Sequence, residues 1–208
     1  NLSSELITFN KFTGRIEGNG HTIKLSKPFI IGNIPSAITI NNLNINLDVK
    51  GNTSLAAFIY NAFGSVTLNN CTVNGSLHYT GGEEYSQVGG FISYVGEGAN
   101  VTINNCLMRA AYKSENPNSN MGAFVGRAAG KTTIMNSYFC PSEVSQGNGG
   151  GRWYNFCPPS DKLTLTNCYY RLGQVIADQM ATEVQGTDAG NIASAELAKR
   201  LGSGWKLS

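Results

Sequence analysis

One six-residue phrase recurs five times along the chain, and it fixes what such a chain can fold into. The copies read Ile38-Thr39-Ile40-Asn41-Asn42-Leu43, Val66-Thr67-Leu68-Asn69-Asn70-Cys71, Val101-Thr102-Ile103-Asn104-Asn105-Cys106, Thr132-Thr133-Ile134-Met135-Asn136-Ser137 and Leu163-Thr164-Leu165-Thr166-Asn167-Cys168. The closing Asn of each copy follows the one before by 28, 35, 31 and 31 residues. A period of this length marks stacked supersecondary units, none of which buries its apolar face alone.

Within each copy apolar and polar residues alternate, which is strand periodicity. Aligned on the closing Asn, the position four before holds Ile38, Val66, Val101, Thr132 and Leu163, and the position two before holds Ile40, Leu68, Ile103, Ile134 and Leu165. The position after it holds Leu43, Cys71, Cys106, Ser137 and Cys168, and three after stand Ile45, Val73, Met108, Phe139 and Tyr170. These columns predict two strands per copy, bent at the Asn, with the apolar residues facing inward. The bend residues Asn42, Asn70, Asn105, Asn136 and Asn167 are read as a structural ladder whose amides bond to each other and to backbone, in preference to a row of ligand-binding groups. The inward Cys71 and Cys106 are read as small apolar packing groups.

A second phrase precedes the first. Phe58, Phe91 and Phe124 recur every 33 residues among Gly and Ala, with Phe29 upstream and Trp153 or Tyr154 in the next copy. It predicts a third strand per coil carrying an inward aromatic. The fold expected is all-β: a right-handed, single-stranded parallel β-helix of about six coils, three short strands per coil, with a short C-terminal helix. Residues 1–190 form the β-helix domain, with 9–26 as an irregular first coil that caps its N-terminal end. Residues 191–208 form a helical cap over the last coil or the start of a linker, with Ser194 as N-cap, Gly202 as the stop, and Glu196 and Arg200 paired four apart.

Composition narrows the function. Only 13% of residues are charged and the net charge is +2. The polar surface is therefore built from neutral residues, among them 24 Asn and 25 Gly. No basic run speaks for nucleic acid, and no stretch is long and apolar enough to cross a membrane as a helix. The five cysteines lie at no zinc spacing. Cys140 and Cys157 flank the loop at 141–159, where a disulfide would close it if the protein is exported. No cofactor, metal site or catalytic residue is expected. His21 and His78 are distant in the chain, and the loop acids Glu83, Glu84, Glu115 and Glu143 have no fixed register.

Binding residues are expected on the unequal loops between copies. The candidates are His78, Tyr79, Glu83, Glu84 and Tyr85 on the loop at 75–87, and Tyr112 and Glu115 beside the next one. Aromatic and charged side chains there suit a glycan or a host or partner protein. A carbohydrate-active enzyme, lyase or hydrolase, would need carboxylates converging in a groove. A passive spacer needs no site at all.

The two phrases together resemble the GLUG-motif proteins of bacterial cell surfaces, most clearly at Gly89-Gly90-Phe91-Ile92 and Gly122-Ala123-Phe124-Val125-Gly126. Gly18-Asn19-Gly20-His21-Thr22-Ile23 looks like the first coil of those proteins, and 192–205 like the helix and Trp that follow their repeats. The flanking glycines are missing around Phe58, and Gly-Arg-Trp-Tyr-Asn-Phe replaces the phrase at 151–156. The resemblance implies a right-handed parallel β-helix outside a bacterial cell, adhesion as its role, and no catalytic residues.

Overall fold

Strands as short as these cannot persist alone, so each is held by its counterpart in the next coil. A computed structural model describes residues 12–81, 86–115, 121–146, 153–172, 174–176, 182–183 and 185–205. It is a parallel β-solenoid of about four complete turns with partial turns at its ends. Each complete coil touches four sheets, one more than the sequence predicts. Sheet 1 stacks six strands: Gly14–Glu17, Ile38–Asn41, Ser65–Asn69, Asn100–Asn104, Lys131–Met135 and Leu163–Thr166. Sheet 2 follows the Asn bend, with Thr22–Leu25, Asn44–Gly51 and Thr72–Tyr79 leading, and with later coils split in two, as in Leu107–Met108 and Ala111–Ser114. Sheet 3 has two-residue strands, among them Val88–Gly89, Met121–Gly122 and Trp153–Tyr154. Sheet 4 holds Ile31–Ile34, Ile59–Ala62, Ile92–Val95 and Val125–Ala128. Every pairing is parallel, and the repeated phrases lie in exact sequence register, for example Ile103 between Leu68 and Ile134.

The inward columns sit where alternation puts them. Ile38, Ile40, Val66, Leu68, Val101, Ile103, Thr132 and Ile134 are buried. Leu163 and Leu165, in the edge strand of sheet 1, are only partly so. The five bend asparagines all adopt left-handed backbone, φ 49° to 54°. Asn is one of the few residues that accepts this region. Their amides bond coil to coil: Asn70 Nδ2 donates to Asn42 Oδ1 (3.0 Å), Asn136 to Asn104 Oδ1 (2.9 Å) and Asn167 to Asn136 Oδ1 (2.9 Å). Glu17 starts the ladder by accepting from Asn42 (2.6 Å) and Asn41 (3.2 Å). The residue after each bend points inward. The Cys71, Cys106 and Cys168 thiols donate to the last carbonyl of their own sheet 1 strand at 3.3, 3.3 and 3.4 Å, and the Ser137 hydroxyl does the same at 2.7 Å. Cysteine here is thus a buried donor as well as a packing group.

The aromatic column differs from the sequence expectation at both ends. Phe58, Phe91, Phe124 and Phe156 stack, with centroids 5.5, 4.9 and 4.9 Å apart. Such contacts add about 0.5–1.5 kcal/mol each beyond burial. Phe156, not Trp153 or Tyr154, continues the column; Trp153 is buried in sheet 3 and packs on Phe139. Phe29 stands outside it at φ 48°, stacked on Tyr60, and Ile30 takes the buried place. A Cβ on Gly122 would lie 2.1 Å from the Val125 carbonyl oxygen, so the corner between sheets 3 and 4 closes there only on glycine.

The helix spans Ser194–Leu201. Ala193, not Ser194, occupies the N-cap, and no side chain caps it. Gly202 ends the helix and Glu196 pairs with Arg200 at 2.9 Å, as predicted. The helix lies along the flank of the stack. Leu197 and Leu201 pack on Tyr138 with Leu107 and Tyr169 beside it, the outward column of sheet 2. The chain beyond runs along the Asn bends: Asn167 Nδ2 donates to the Arg200 carbonyl (2.7 Å) and Trp205 Nε1 to the Asn136 carbonyl (2.8 Å). Gly204 rests against the Asn105 amide, where a Cβ would sit 2.3 Å from Nδ2. Cys140 packs with this outer cluster and Cys157 lies in the core. Both are free thiols on opposite sides of the coil wall, so they do not close the loop between them.

Two outcomes follow from the bends. Asn105→Leu places a side chain without local hydrogen bonding at φ 53° and is expected to cost about 1–2 kcal/mol, read from the urea midpoint, whereas Asn105→Gly costs less; equal losses would remove the backbone explanation. The Asn42 amide, Arg15 and Asn41 hold the Glu17 carboxyl down at about 2, from the ordinary 4.5. A lowered folded-state pKa stabilises above pH 4.5, and the contribution disappears as pH falls from 4.5 towards 2. Glu17→Gln should therefore flatten the melting-temperature profile in that window, an effect reduced by salt because the carboxylate is exposed.

Candidate functional site

Sheet 2 carries the sequence-predicted residues, and its alternation divides them. The strand Thr72–Tyr79 runs on through residues taken from sequence as loop. His78 points out and Tyr79 points in, where it is fully buried. Tyr112, one coil on beside Leu77, is also fully buried, and its hydroxyl lies 2.8 Å from the Val88 carbonyl oxygen and 3.0 Å from that of Gly122. Burial raises its pKa well above the usual phenol value. Tyr79 and Tyr112 are therefore core residues, out of reach of a surface ligand. Glu83, Glu84 and Tyr85 lie outside the described residues.

His78 and Glu115 do come together. Lys50, His78 and Lys113 occupy one outward row on successive coils. Acids from neighbouring positions are set against this row. Glu115 Oε1 lies 2.8 Å from His78 Nε2 and 3.3 Å from Lys50 Nζ, and Glu143 Oε2 lies 2.9 Å from Lys113 Nζ. His78 is 24% exposed and Glu115 53%, so each contact is worth about 0–1 kcal/mol. The row is an open, charge-balanced stripe.

Elsewhere burial pushes the Cys157 thiol up to about 12 and the Cys168 thiol up to about 11. Among the described residues no three His, Cys, Asp or Glu side chains gather as metal ligands.

Two outward surfaces were not singled out from sequence. On sheet 4, Tyr94 follows Asn33 and Asn61 in one row, Arg127 sits over the Tyr94 ring at 5.8 Å, and Phe63 meets Tyr94 edge-on at 6.2 Å. Phe63 is 48% exposed, an unusual exposure for a large apolar side chain on this surface. On sheet 1, the residues between the inward columns form a row of five threonines. Both were legible: they are the complement of the inward columns.

No family model matches the sequence, and no curated protein does. Two solved structures share the architecture. One is named IgA1 Protease, with TM-score 0.53 and 14% identity over 80% of this chain. The other is a candidate immunoglobulin A1 protease from Bacteroides ovatus, with TM-score 0.56 and 16% identity over 89% of this chain. The present chain corresponds to 17% of the length of the first and 70% of the second. At these identities the likeness is one of fold.

Tyr112→Phe tests the inward placement. It removes the only hydroxyl between two buried carbonyls and should cost about 1–2 kcal/mol in urea unfolding, whereas His78→Ala on the outer row should change stability by less than about 0.5 kcal/mol.

Proposed function

We propose that this chain is a non-catalytic extracellular module that presents fixed rows of side chains for adhesion to a glycan or a partner protein. The observation that carries the reading is the register: outward side chains recur on successive coils, as Lys50, His78 and Lys113 do. A rigid row of this kind binds an extended ligand without ordering loops first, which removes part of the entropic cost of association. Of the sequence-predicted contact residues that are described, His78 and Glu115 reach solvent; His78 stands on this row and Glu115 pairs with it. The resemblance of the Gly-x-Phe phrases to GLUG-motif surface proteins supports a place outside a bacterial cell. The architecture shared with the two immunoglobulin A1 protease structures is consistent with it.

The test is binding without turnover. The protein is incubated with a panel of neutral and acidic polysaccharides, with and without Ca²⁺, and retention and product release are followed together. Saturable, reversible retention with no new reducing ends or unsaturated products is expected. Release of product in proportion to protein concentration would overturn the reading in favour of a lyase or hydrolase.

A further inference from the structure

The outer face of sheet 1 differs chemically from that of sheet 2. Thr39, Thr67, Thr102, Thr133 and Thr164 stand in exact register on five successive coils. Coil spacing sets them about 4.8 Å apart along the solenoid axis, and a second row lies two residues further along each strand, about 6.6 Å away. Beside the five threonines that row holds Asn41, Asn69, Asn104, Met135 and Thr166. The Asn69 amide donates to Asn41 Oδ1 at 2.9 Å, and one hydrogen of each amide suffices for such a chain. No hydrogen bond with another described residue engages any of the five threonine hydroxyls. Inward hydroxyls behave differently: Thr132 Oγ1 donates to the Gly130 carbonyl and Ser137 Oγ to that of Met135.

Strand propensity favours threonine, but it does not explain a face without charge. Sheet 2, by contrast, carries Lys24, Lys50, His78 and Lys113 on its outer side. On sheet 1 the charges stand at the margins: Arg15 is paired with Glu17 at one end, and Lys131 opens its strand. The two central rows are neutral between them. Phe63 sits in the turn joining Ile59–Ala62 of sheet 4 to Ser65–Asn69 of sheet 1, at the margin of this face.

We propose that this face docks an uncharged polysaccharide in extended form, lying along the solenoid axis with one sugar ring per coil. The coil spacing is of the order of the advance per hexose in an extended β-linked chain, so each ring meets the same hydroxyl, with an amide beside it on the first three of these coils. The hydroxyls both donate and accept, as sugar hydroxyls do. The threonine methyls cover the apolar ring face, and Phe63 offers a stacking edge. Electrical neutrality selects against acidic polymers, which would gain nothing from the central rows. The assignment rests on the reading of the chain as a binding module and names the ligand class.

The test uses cellulose, chitin and mannan as insoluble probes, cellohexaose and chitohexaose in solution, and alginate as the acidic polymer. Wild-type protein should be retained by at least one neutral polymer and not by alginate. Thr67→Val/Thr102→Val/Thr133→Val keeps the branched shape, removes three hydroxyls, and should weaken retention at least roughly tenfold with the melting midpoint preserved. Thr102→Lys should weaken it as a single change, which covers the case where the triple variant fails to fold. Thr72→Val, on sheet 2, should leave it unchanged. Undiminished binding by the triple variant overturns the site while the module stands. Retention by alginate alone, or by no neutral polymer, overturns the ligand class. Ice shaping without polymer binding would assign the lattice of hydroxyls to frozen water and overturn it as well. Turnover of a bound polymer would instead strike at the non-catalytic reading.

Discussion

In-register parallel stacking is the constraint on which the rest depends. Each residue lies directly on its counterpart one coil away, so every column must tolerate contact with copies of itself. Amides satisfy this because each both donates and accepts, which is why Asn can line the bend. Benzyl rings and branched aliphatics satisfy it by stacking. Like charges do not, and Glu115 and Glu143 are set against the lysines of the row Lys50, His78 and Lys113. The low charged fraction, 13%, follows from the same rule.

The rule also explains why the bends cost little. A sharp turn repeated in every coil would orphan the same backbone groups each time. Left-handed Asn turns the chain, the amides of Asn42, Asn70, Asn136 and Asn167 extend the ladder, and Cys71, Cys106, Ser137 and Cys168 send a thiol or hydroxyl back to the strand-end carbonyl. Ser137 takes the place of cysteine in this column and makes the shorter bond, while Leu43 fills the first place by packing alone.

Much of this was legible in the sequence because self-compatible columns are repeats by definition. The inward residues, the bends and the parallel stacking followed from alignment alone. What failed lies at corners. Phe29 is set one residue before the buried Ile30, and Phe156 two residues after Tyr154, so aromatic identity pointed to the wrong member of each segment. Sheet 3 is invisible because two-residue strands have no period. Gly75 suggests a loop that would carry Tyr79, although alternation outward from Val73 places 77 and 79 inside; Tyr112 stands in register with Leu77 and goes inside with it.

A stack whose coils touch only their neighbours frays from its ends, since opening the last coil breaks one interface. The flanking helix changes that here. Arg200 is bonded to the bend at Asn167, Trp205 to that at Asn136, and Gly204 rests on Asn105. These ties cross three coils, so peeling the outermost one also strips contacts two coils further in. The C-terminal end of the solenoid is therefore held across three coils at once, like a bolted stack of plates.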